Sequence, residues 1–300
     1  MHELNWDDIR YFLAVIEAGS VTAAAVQLGV NHSTVSRRVT AFETVLRTKL
    51  FDRGPSGWAI TSGGENLLHS AKEMAEAVHS LRRKVEGADR ALSGVLRITA
   101  PHLCFQHLLG PPLKAFSNKY PNIQVQLIAS DEPLNLAYGD SDVAFRTTDD
   151  PPPNLVGNRL ATVAYAIYGT EELRQRLEDE QLSVPAVTWI GDGQSIPSWI
   201  RKASAKIEVK YRVNSLDTML EIAKQGIAVA QLPCLAGDTE PRVRRLPDIV
   251  ADPGWGLWIL SHVDLRMTAR VRIFRDFMIG ALEPCVPLIE GDRPMSVSAD

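Results

Sequence analysis

Residues 19–46 read GSVTAAAVQLGVNHSTVSRRVTAFETVL, and this stretch predicts the fold of the N-terminal region. Ser20 is suited to cap a short, alanine-rich helix that ends at Gly29, and Asn31 is suited to cap the next helix. Apolar residues spaced by four, three and four positions in that next helix share one buried face. They are Val35, Val39, Phe42 and Leu46. Residues 6–16 carry a similar apolar stripe, so three helices are expected in succession.

The polar face of the third helix is suited to contact DNA. Small hydroxyl side chains around one arginine leave room in the major groove, where arginine reads guanine and serine or threonine adapts to base edges or phosphates. A solvated polar face is the commoner explanation for any single helix. The short helix and tight turn before it favour a helix-turn-helix unit instead. The predicted DNA-contacting residues are His32, Ser33, Ser36, Arg37, Arg38, Thr40 and Arg53.

A β-hairpin is expected after the third helix. Gly54-Pro55-Ser56-Gly57 is a turn signal, and Trp58-Ala59-Ile60 is suited to the returning strand. Arg53 at the base of this hairpin is placed to hold the DNA backbone. Residues 1–61 are therefore predicted to form an all-α winged helix-turn-helix head, with the hairpin as its wing.

A series of head residues follows the order and spacing of a known family. The residues are Phe12-Leu13-Ala14-Val15, Gly19-Ser20, Thr22-Ala23-Ala24-Ala25, Leu28-Gly29-Val30, Ser33-Thr34-Val35-Ser36-Arg37, Phe42-Glu43, Leu50-Phe51-Asp52-Arg53 and Thr61-Ser62-Gly63-Gly64-Glu65. In this series the chain resembles the LysR-type transcriptional regulators. The resemblance implies that positions 32, 33, 36 and 37 face bases and that Arg53 contacts the backbone. Two positions depart from the family pattern: His32 stands where glutamine is frequent, and the wing tip is not basic. His32 either reads a base or caps the helix.

Composition narrows the function classes. The formal net charge of -4 at pH 7 disfavours a protein that coats nucleic acid without sequence preference, because such affinity rests on neutralised phosphates. DNA contact must then come from a local basic patch, such as residues 37–53. Three widely spaced cysteines favour a reducing compartment. The start of the chain has no signal-peptide pattern, and no apolar run is long enough to span a bilayer. A cytoplasmic protein without a membrane partner is expected.

A long helix is predicted to follow the head over residues 62–90. Ser62 and Glu65 match a capping box, and the apolar residues beyond them alternate spacings of four and three, which is a heptad seam. An amphipathic helix packed on its own chain is the usual alternative, but a helix-turn-helix head gains affinity and palindromic specificity by pairing. The predicted dimerisation residues are Leu67, Ala71, Met74, Val78, Leu81 and Val85.

Residues 91–300 alternate apolar strands with helical stretches, which is typical of an α/β domain. The family resemblance implies two α/β lobes similar to periplasmic solute-binding proteins. We expect one lobe at about 91–161 plus 263–283 and the other at about 162–262. Residues from Glu283 onward are expected to form a loose C-terminal tail.

Ligands of such sheets bind beyond the carboxyl ends of the strands, close to helix N-termini. The predicted effector-binding residues are Ala100, Pro101, His102, Ser130, Arg146, Thr147, Asn214, Ser215 and Gln231. Arg146 at a strand end favours a small anionic effector. The same arginine is equally suited to a structural role, in which it holds Asp142 or a nearby loop carboxylate. No cofactor is predicted beyond this effector.

His102, Cys104 and His107 support an alternative function as a metal- or redox-sensing regulator. Their spacing is loose, a fourth ligand is not evident nearby, and a free cysteine is usually a small buried hydrophobe. No metal site is therefore predicted. An enzyme is not expected either, because the GxSxG, HExxH and Walker A motifs do not occur. A solute-binding protein would explain the two lobes but not the head.

The expected function is a sequence-specific transcription regulator whose binding to promoter DNA is modulated by a small-molecule effector in the cleft of the C-terminal domain. The resemblance adds a homodimer that assembles into a homotetramer, and contact with RNA polymerase.

Overall fold

The computed structural model describes residues 5–54, 57–87, 92–131, 141–179, 182–246, 252–266 and 268–292. The chain divides into two compact units, Met1–Arg83 and Lys84–Asp300. Each unit has its own set of fully buried apolar side chains.

Three helices build the first unit: α1 (Trp6–Ala18), α2 (Val21–Leu28) and α3 (His32–Leu46). Capping explains the bounds of the first two. The Asn5 side chain accepts a hydrogen bond from the Asp7 N–H at 2.9 Å, and the Ser20 hydroxyl accepts one from the Ala23 N–H at 3.1 Å. Gly19 and Gly29 end these helices in the left-handed conformation. Asn31 stands at the N-cap of α3 as predicted, although its side chain makes no capping hydrogen bond.

The apolar face of α3 packs against α1. Val35, Val39 and Phe42 are buried as predicted, whereas Leu46 is only half-buried. The Phe12 ring of α1 lies 6.2 Å from the Phe42 ring, centroid to centroid. This aromatic contact holds α3 with its polar face turned outward.

A two-stranded antiparallel hairpin, β1 (Phe51–Gly54) and β2 (Gly57–Ile60), forms the predicted wing. Helix α4 (Ser62–Gly87) follows it. The predicted capping box is wrong by one residue, because Thr61 takes the capping position. Its N–H donates to the Leu50 carbonyl at 3.0 Å, and its hydroxyl accepts from the Gly64 N–H at 3.1 Å. Pairing with the residue before β1 therefore sets where α4 begins.

The second unit alternates strands and helices in one mixed sheet. Its elements are β3 (Gly94–Ala100), α5 (His102–Cys104), a π-helical turn (Phe105–Leu109), α6 (Gly110–Lys119), β4 (Ile123–Ala129), β5 (Val143–Thr148), β6 (Leu155–Gly169), α7 (Glu171–Glu178), β7 (Val184–Trp189), α8 (Ser198–Ala203), β8 (Ile207–Val213), α9 (Leu216–Lys224), β9 (Val229–Pro233), α10 (Cys234–Gly237), β10 (Arg244–Arg245), β11 (Asp252–His262), α11 (Ala269–Leu282) and α12 (Val286–Ile289). The strand order is β4-β3-β5-β11-β6-β9-β7-β8, with β10 paired to β6.

Two long antiparallel strands, β6 and β11, run through both lobes of this unit. One apolar core takes side chains from β3, β5, α6 and α11, together with Ala161 and Val163 of β6. A second core takes side chains from α9, β9 and α10, together with Ala164 and Ala166 of β6. The parallel pairs β3–β4, β3–β5, β7–β8 and β7–β9 lie on either side of this crossing. This is the two-lobed α/β fold that the resemblance implied.

The predicted loose tail is wrong between Glu283 and Ile289. Residues 283–285 form a 3₁₀ turn, and α12 follows directly. Ile289 is fully buried in the core of the first lobe. This segment is ordered because its apolar side chains complete that core. The prolines in the segment had favoured a loose tail in the sequence analysis. Residues 293–300 lie outside the described part of the chain.

Candidate functional site

The outward face of α3 carries the predicted DNA-contacting side chains. His32, Ser33, Arg37 and Thr40 are exposed, and Ser36 is half-buried. Within the described part of the chain, the Arg37 side chain forms no hydrogen bond or ion pair. Its guanidinium is therefore free to bind an external acceptor.

Arg38 is turned toward the protein rather than away from it. Its Nη1 lies 3.3 Å from Asp8 Oδ1 of α1, and its guanidinium lies 5.9 Å from the centre of the Tyr11 ring. Arg38 therefore connects α3 to α1. We expect it to be a weaker DNA contact than Arg37.

Glu43 is a buried carboxylate that organises the base of the wing. Oε1 of Glu43 accepts hydrogen bonds from the N–H groups of Leu50 at 2.9 Å and Phe51 at 3.2 Å. Oε2 of Glu43 lies 2.8 Å from Arg53 Nη2 and 3.5 Å from Lys49 Nζ. Burial alone would raise the pKa of Glu43, but the two N–H groups and the two cations outweigh it and hold the pKa below its usual value. The carboxylate therefore stays charged at neutral pH.

Arg53 is held by this carboxylate and by two further groups. Its Nη2 donates to the Thr40 hydroxyl at 2.8 Å, and its guanidinium lies 4.2 Å from the centre of the Trp58 ring. The Thr40 hydroxyl in turn donates to the Ser36 carbonyl at 2.8 Å. Arg53 and Thr40, which were both predicted to contact DNA, therefore form hydrogen bonds within the head. Glu43 was not predicted to belong to the site, although an acidic residue within the basic segment 37–53 was a usable signal.

The predicted dimerisation residues of α4 fall into two groups. Ala71 is buried within the first unit, and Leu67 is half-buried. Three others are apolar and exposed, with exposed fractions of 47% for Met74, 41% for Val78 and 67% for Leu81. The side chain of Val85 lies outside the described residues.

A cleft of about 560 Å³ opens in the second unit. It lies beyond the carboxyl ends of β3, β4, β5 and β7, as expected for a ligand site in such a sheet. Four predicted residues line it: Pro101, Ser130, Arg146 and Thr147. The described lining also includes Asp131, Thr148, Asp150, Pro152, Leu155, Tyr165, Trp189, Leu216, Trp255 and Leu260.

The other predicted effector residues lie outside this lining. Ala100 is fully buried, and its carbonyl accepts the Ser130 N–H at 3.0 Å. The His102 backbone N–H donates to Asp131 Oδ1 at 3.2 Å. Asn214, Ser215 and Gln231 are also absent from it, and Leu216 reaches the cleft in place of the first two. The aromatic lining residues resembled ordinary core positions in the sequence, so the periodicity gave no signal for them.

Arg146 is the basic residue of the described cleft lining. Its Nη1 donates to the Phe145 carbonyl and its Nη2 to the Thr99 hydroxyl, both at 2.8 Å. Its Nε is buried and has no hydrogen-bond partner among the described residues. Asp142 is not among these partners of Arg146, and its Oδ2 accepts the Arg97 N–H at 2.8 Å. Burial lowers the pKa of the Arg146 guanidinium, which leaves a partly desolvated cation in the cleft.

The metal- or redox-sensing alternative gains no support. His107 Nδ1 lies 2.9 Å from the Thr239 hydroxyl, and burial lowers the pKa of this histidine. Cys104 is buried, and desolvation raises its pKa to about 12, which disfavours the reactive thiolate. No cluster of three potential metal-ligating side chains occurs among the residues that the structure describes. None of the described helices is both long enough and apolar enough to cross a membrane.

Family models match both parts of the chain. The model described as "Bacterial regulatory helix-turn-helix protein, lysR family" matches residues 6–65, and the LysR substrate binding domain matches residues 89–283. Among curated relatives, the probable HTH-type transcriptional regulator LtrA of Klebsiella pneumoniae is 26% identical over 90% of this chain and 93% of its own length. The regulator CrgA of Neisseria meningitidis serogroup C is 25% identical over 93% of this chain and 97% of its own.

Solved structures show the same fold. The full-length structure of AphB, a virulence activator of Vibrio cholerae, superimposes with a TM-score of 0.58 at 20% identity and covers 92% of this chain and 99% of AphB. Full-length CbnR in complex with its target DNA gives a TM-score of 0.53 at 18% identity, over 92% of this chain and all of CbnR (100%). With both family models matched and both units folded accordingly, the chain belongs to the LysR family and is a DNA-binding transcription regulator with a substrate-binding domain.

Proposed function

We propose that the exposed face of α3 reads promoter DNA and that a small molecule in the cleft of the second unit modulates this binding. The observation that carries the first part is Arg37, whose unengaged guanidinium lies among small hydroxyl side chains on that face. Arginine reads guanine through two parallel hydrogen bonds, which is the commonest specific contact in the major groove. His32 and Ser33 lie in the first turn of the same helix, where recognition helices meet the bases.

Arg53 has a different role in this proposal. Because Glu43 and Trp58 fix its guanidinium, it positions the wing and presents its remaining N–H donors to the phosphate backbone. Phosphate contacts set the register of the protein on DNA and carry no sequence information. Arg53 therefore contributes affinity, and Arg37 contributes sequence preference.

The regulator pairs through α4 into a homodimer and further into a homotetramer. Support comes from the exposed apolar side chains of Met74, Val78 and Leu81, which would cost free energy if they remained in water. Pairing places two recognition helices on neighbouring half-sites, so the operator is an interrupted palindrome. Contact with RNA polymerase is proposed from the family alone.

The cleft acts by binding and not by catalysis. Its volume of about 560 Å³ falls within the range of small-molecule sites, and Arg146 gives it a group that attracts a carboxylate. A ligand can change DNA binding only if it binds two arrangements of the assembly unequally. The protein works in the cytoplasm, because that is where a bacterial regulator meets promoter DNA.

Fluorescence anisotropy tests this proposal directly. Purified protein is titrated against labelled DNA from upstream of its own gene and against a scrambled duplex, at two salt concentrations. We expect a preference for the natural DNA that persists at the higher salt, because base contacts are less salt-dependent than phosphate contacts. Weak binding that disappears equally for both duplexes would contradict operator recognition.

A further inference from the structure

We propose that the effector is a zwitterionic amino carboxylate with an apolar side chain, and not a plain anion. This inference rests on the proposed role of the cleft as the effector site. It depends on three features of the cleft lining: one partly desolvated cation, carboxylates that do not neutralise it, and large uncovered aromatic surfaces.

Arg146 provides the group for the carboxylate end. Two of its N–H donors are used by the Phe145 carbonyl and the Thr99 hydroxyl. A guanidinium has five N–H donors, so Nη1 and Nη2 each keep a second N–H that can donate to a ligand carboxylate. These contacts also hold the guanidinium in place before the ligand arrives.

Asp131 and Asp150 provide groups for the ammonium end. Both residues line the cleft, and the described lining therefore has more acidic than basic residues. Asp131 lies near enough to Arg146 to affect the pKa of that guanidinium. No ion pair within 4.0 Å joins the two in the described structure. The two side chains therefore line one cleft without forming an ion pair.

Aromatic and aliphatic side chains provide the surface for the apolar part. Trp255 is 60% exposed and Trp189 is 37% exposed, although both line the cleft. The half-buried Tyr165 and Leu155 lie in the same lining. Indole rings that remain in water are unfavourable, and covering them with an apolar ligand group contributes binding free energy.

Charge complementarity decides between the ligand classes. A plain carboxylate would satisfy Arg146 but would bring a third negative charge toward Asp131 and Asp150, which is unfavourable. A plain amine would satisfy an aspartate but would leave Arg146 without a carboxylate to balance its charge. An amino carboxylate places each charge opposite its complement, and its side chain covers the aromatic surface.

Isothermal titration calorimetry with matched ligands tests the inference. The full-length protein is titrated with L-phenylalanine, and with 3-phenylpropionate and 2-phenylethylamine, which each keep the ring and only one charge. L-leucine and L-tryptophan extend the zwitterionic set. We expect at least one amino acid to bind about tenfold or more tightly than either single-charge analogue, since charge-assisted hydrogen bonds are the strong ones.

Two variants assign the charges to residues. Arg146→Gln should weaken the zwitterion and 3-phenylpropionate alike, whereas Asp131→Asn should weaken the zwitterion and leave 3-phenylpropionate unchanged or tighter. Asp149→Asn is the matched control, because Asp149 is an exposed neighbour outside the cleft lining. Thermal unfolding measures whether Arg146→Gln still folds, and Asp131→Asn keeps the test decisive if it does not.

The outcomes separate this inference from the proposed function. If 3-phenylpropionate binds as tightly as the amino acids and Arg146→Gln abolishes binding, the cleft remains the effector site and the zwitterion proposal is overturned. If none of the three amino acids binds, the zwitterion proposal is also overturned. If an amino acid binds wild type and all three variants equally, the ligand lies elsewhere and both proposals fail.

Discussion

Glu43 illustrates how a single buried side chain positions a DNA-binding surface. Its carboxylate joins the N–H groups of Leu50 and Phe51 to the guanidinium of Arg53. The end of α3 and the start of the wing are thus connected through one carboxylate. A charged group in this position is stabilising only while its partners are in place.

Glu43→Gln should destabilise the head by about 1–3 kcal/mol, because the amide replaces a charge-assisted contact to Arg53. We expect faster amide hydrogen exchange at Leu50 and Phe51 in the full-length variant, measured by mass spectrometry. Asp52→Asn is the control, since it removes an exposed carboxylate from β1, next to Phe51. Equal exchange in wild type and Glu43→Gln would show that the contact contributes nothing.

The same carboxylate makes stability depend on pH in a stated direction. The folded pKa of Glu43 lies below its ordinary value of 4.5. Its contribution is therefore complete above that pH and is lost as the pH falls through the folded value. Urea unfolding at pH 7 and pH 4 should show a stability gap between wild type and Glu43→Gln that narrows at the lower pH.

Arg37→Ala should cost about 1–3 kcal/mol of operator affinity and relax the preference at one base pair in each half-site. The reason is the loss of a bidentate base contact. Anisotropy titrations against the operator and single-base variants of it measure both effects. Arg201→Ala removes an exposed arginine from the second unit and should leave the preference unchanged. A loss for Arg37→Ala that is equal for all sequences would place Arg37 on the phosphate backbone.

Some individual residues could be predicted from the sequence and others could not. Periodicity identified Val35, Val39 and Phe42, because burial in a helix follows spacing. Arg146 was predicted from its place at a strand end, but Trp189 and Trp255 were not predicted. Those two indoles come together in the cleft only through the packing of strands that are distant in the sequence. A local sequence pattern carries no information about that packing.

Helix α4 shows the same contrast at the scale of elements. Its existence and heptad spacing followed from the sequence, whereas its cap was displaced from Ser62 to Thr61 by pairing with the residue before β1. Strand β8 was not predicted, although its apolar residues alternate with charged ones at the period of a strand, which was a usable signal. The position of a helix cap depends on neighbouring strands, whereas a strong period is visible in the sequence itself.

Val78→Glu or Leu81→Glu should separate the paired heads. A carboxylate in an apolar seam must be desolvated on pairing, which disfavours the dimer. Analytical ultracentrifugation should show a shift toward monomer, and operator affinity should fall about 10²-fold or more as avidity is lost. Ala77→Glu adds the same charge at an exposed position outside the predicted seam. A dimer that persists in Val78→Glu and Leu81→Glu would refute pairing through α4.

At the scale of the whole molecule, an overall negative charge coexists with DNA binding because residues 37–53 of the head form a local basic patch. A net charge of -4 repels DNA at long range and limits binding away from the operator. The two compact units separate the DNA-binding head from the substrate-binding domain.

Half-site spacing should matter in steps of a helical turn. Inserting five base pairs between the half-sites places them on opposite faces of the duplex, and we expect at least a tenfold loss of affinity. An insertion of ten base pairs restores the common face and should be tolerated better. Anisotropy titrations with the three duplexes measure this difference. Equal affinity for all three would mean that the heads bind independently.

Strands β6 and β11 carry the chain between the two lobes, and their register shifts between Pro253 and Gly256. At Gly254, a Cβ atom would lie 2.6 Å from the Tyr165 ring and 2.7 Å from the Val163 carbonyl. Any larger residue must displace that ring, which lines the cleft beside Trp255. A genetic selection for variants that no longer respond to the proposed effector should therefore recover substitutions at codon 254. Such variants should protect the same operator DNA as wild type but should not change transcription when the ligand is added.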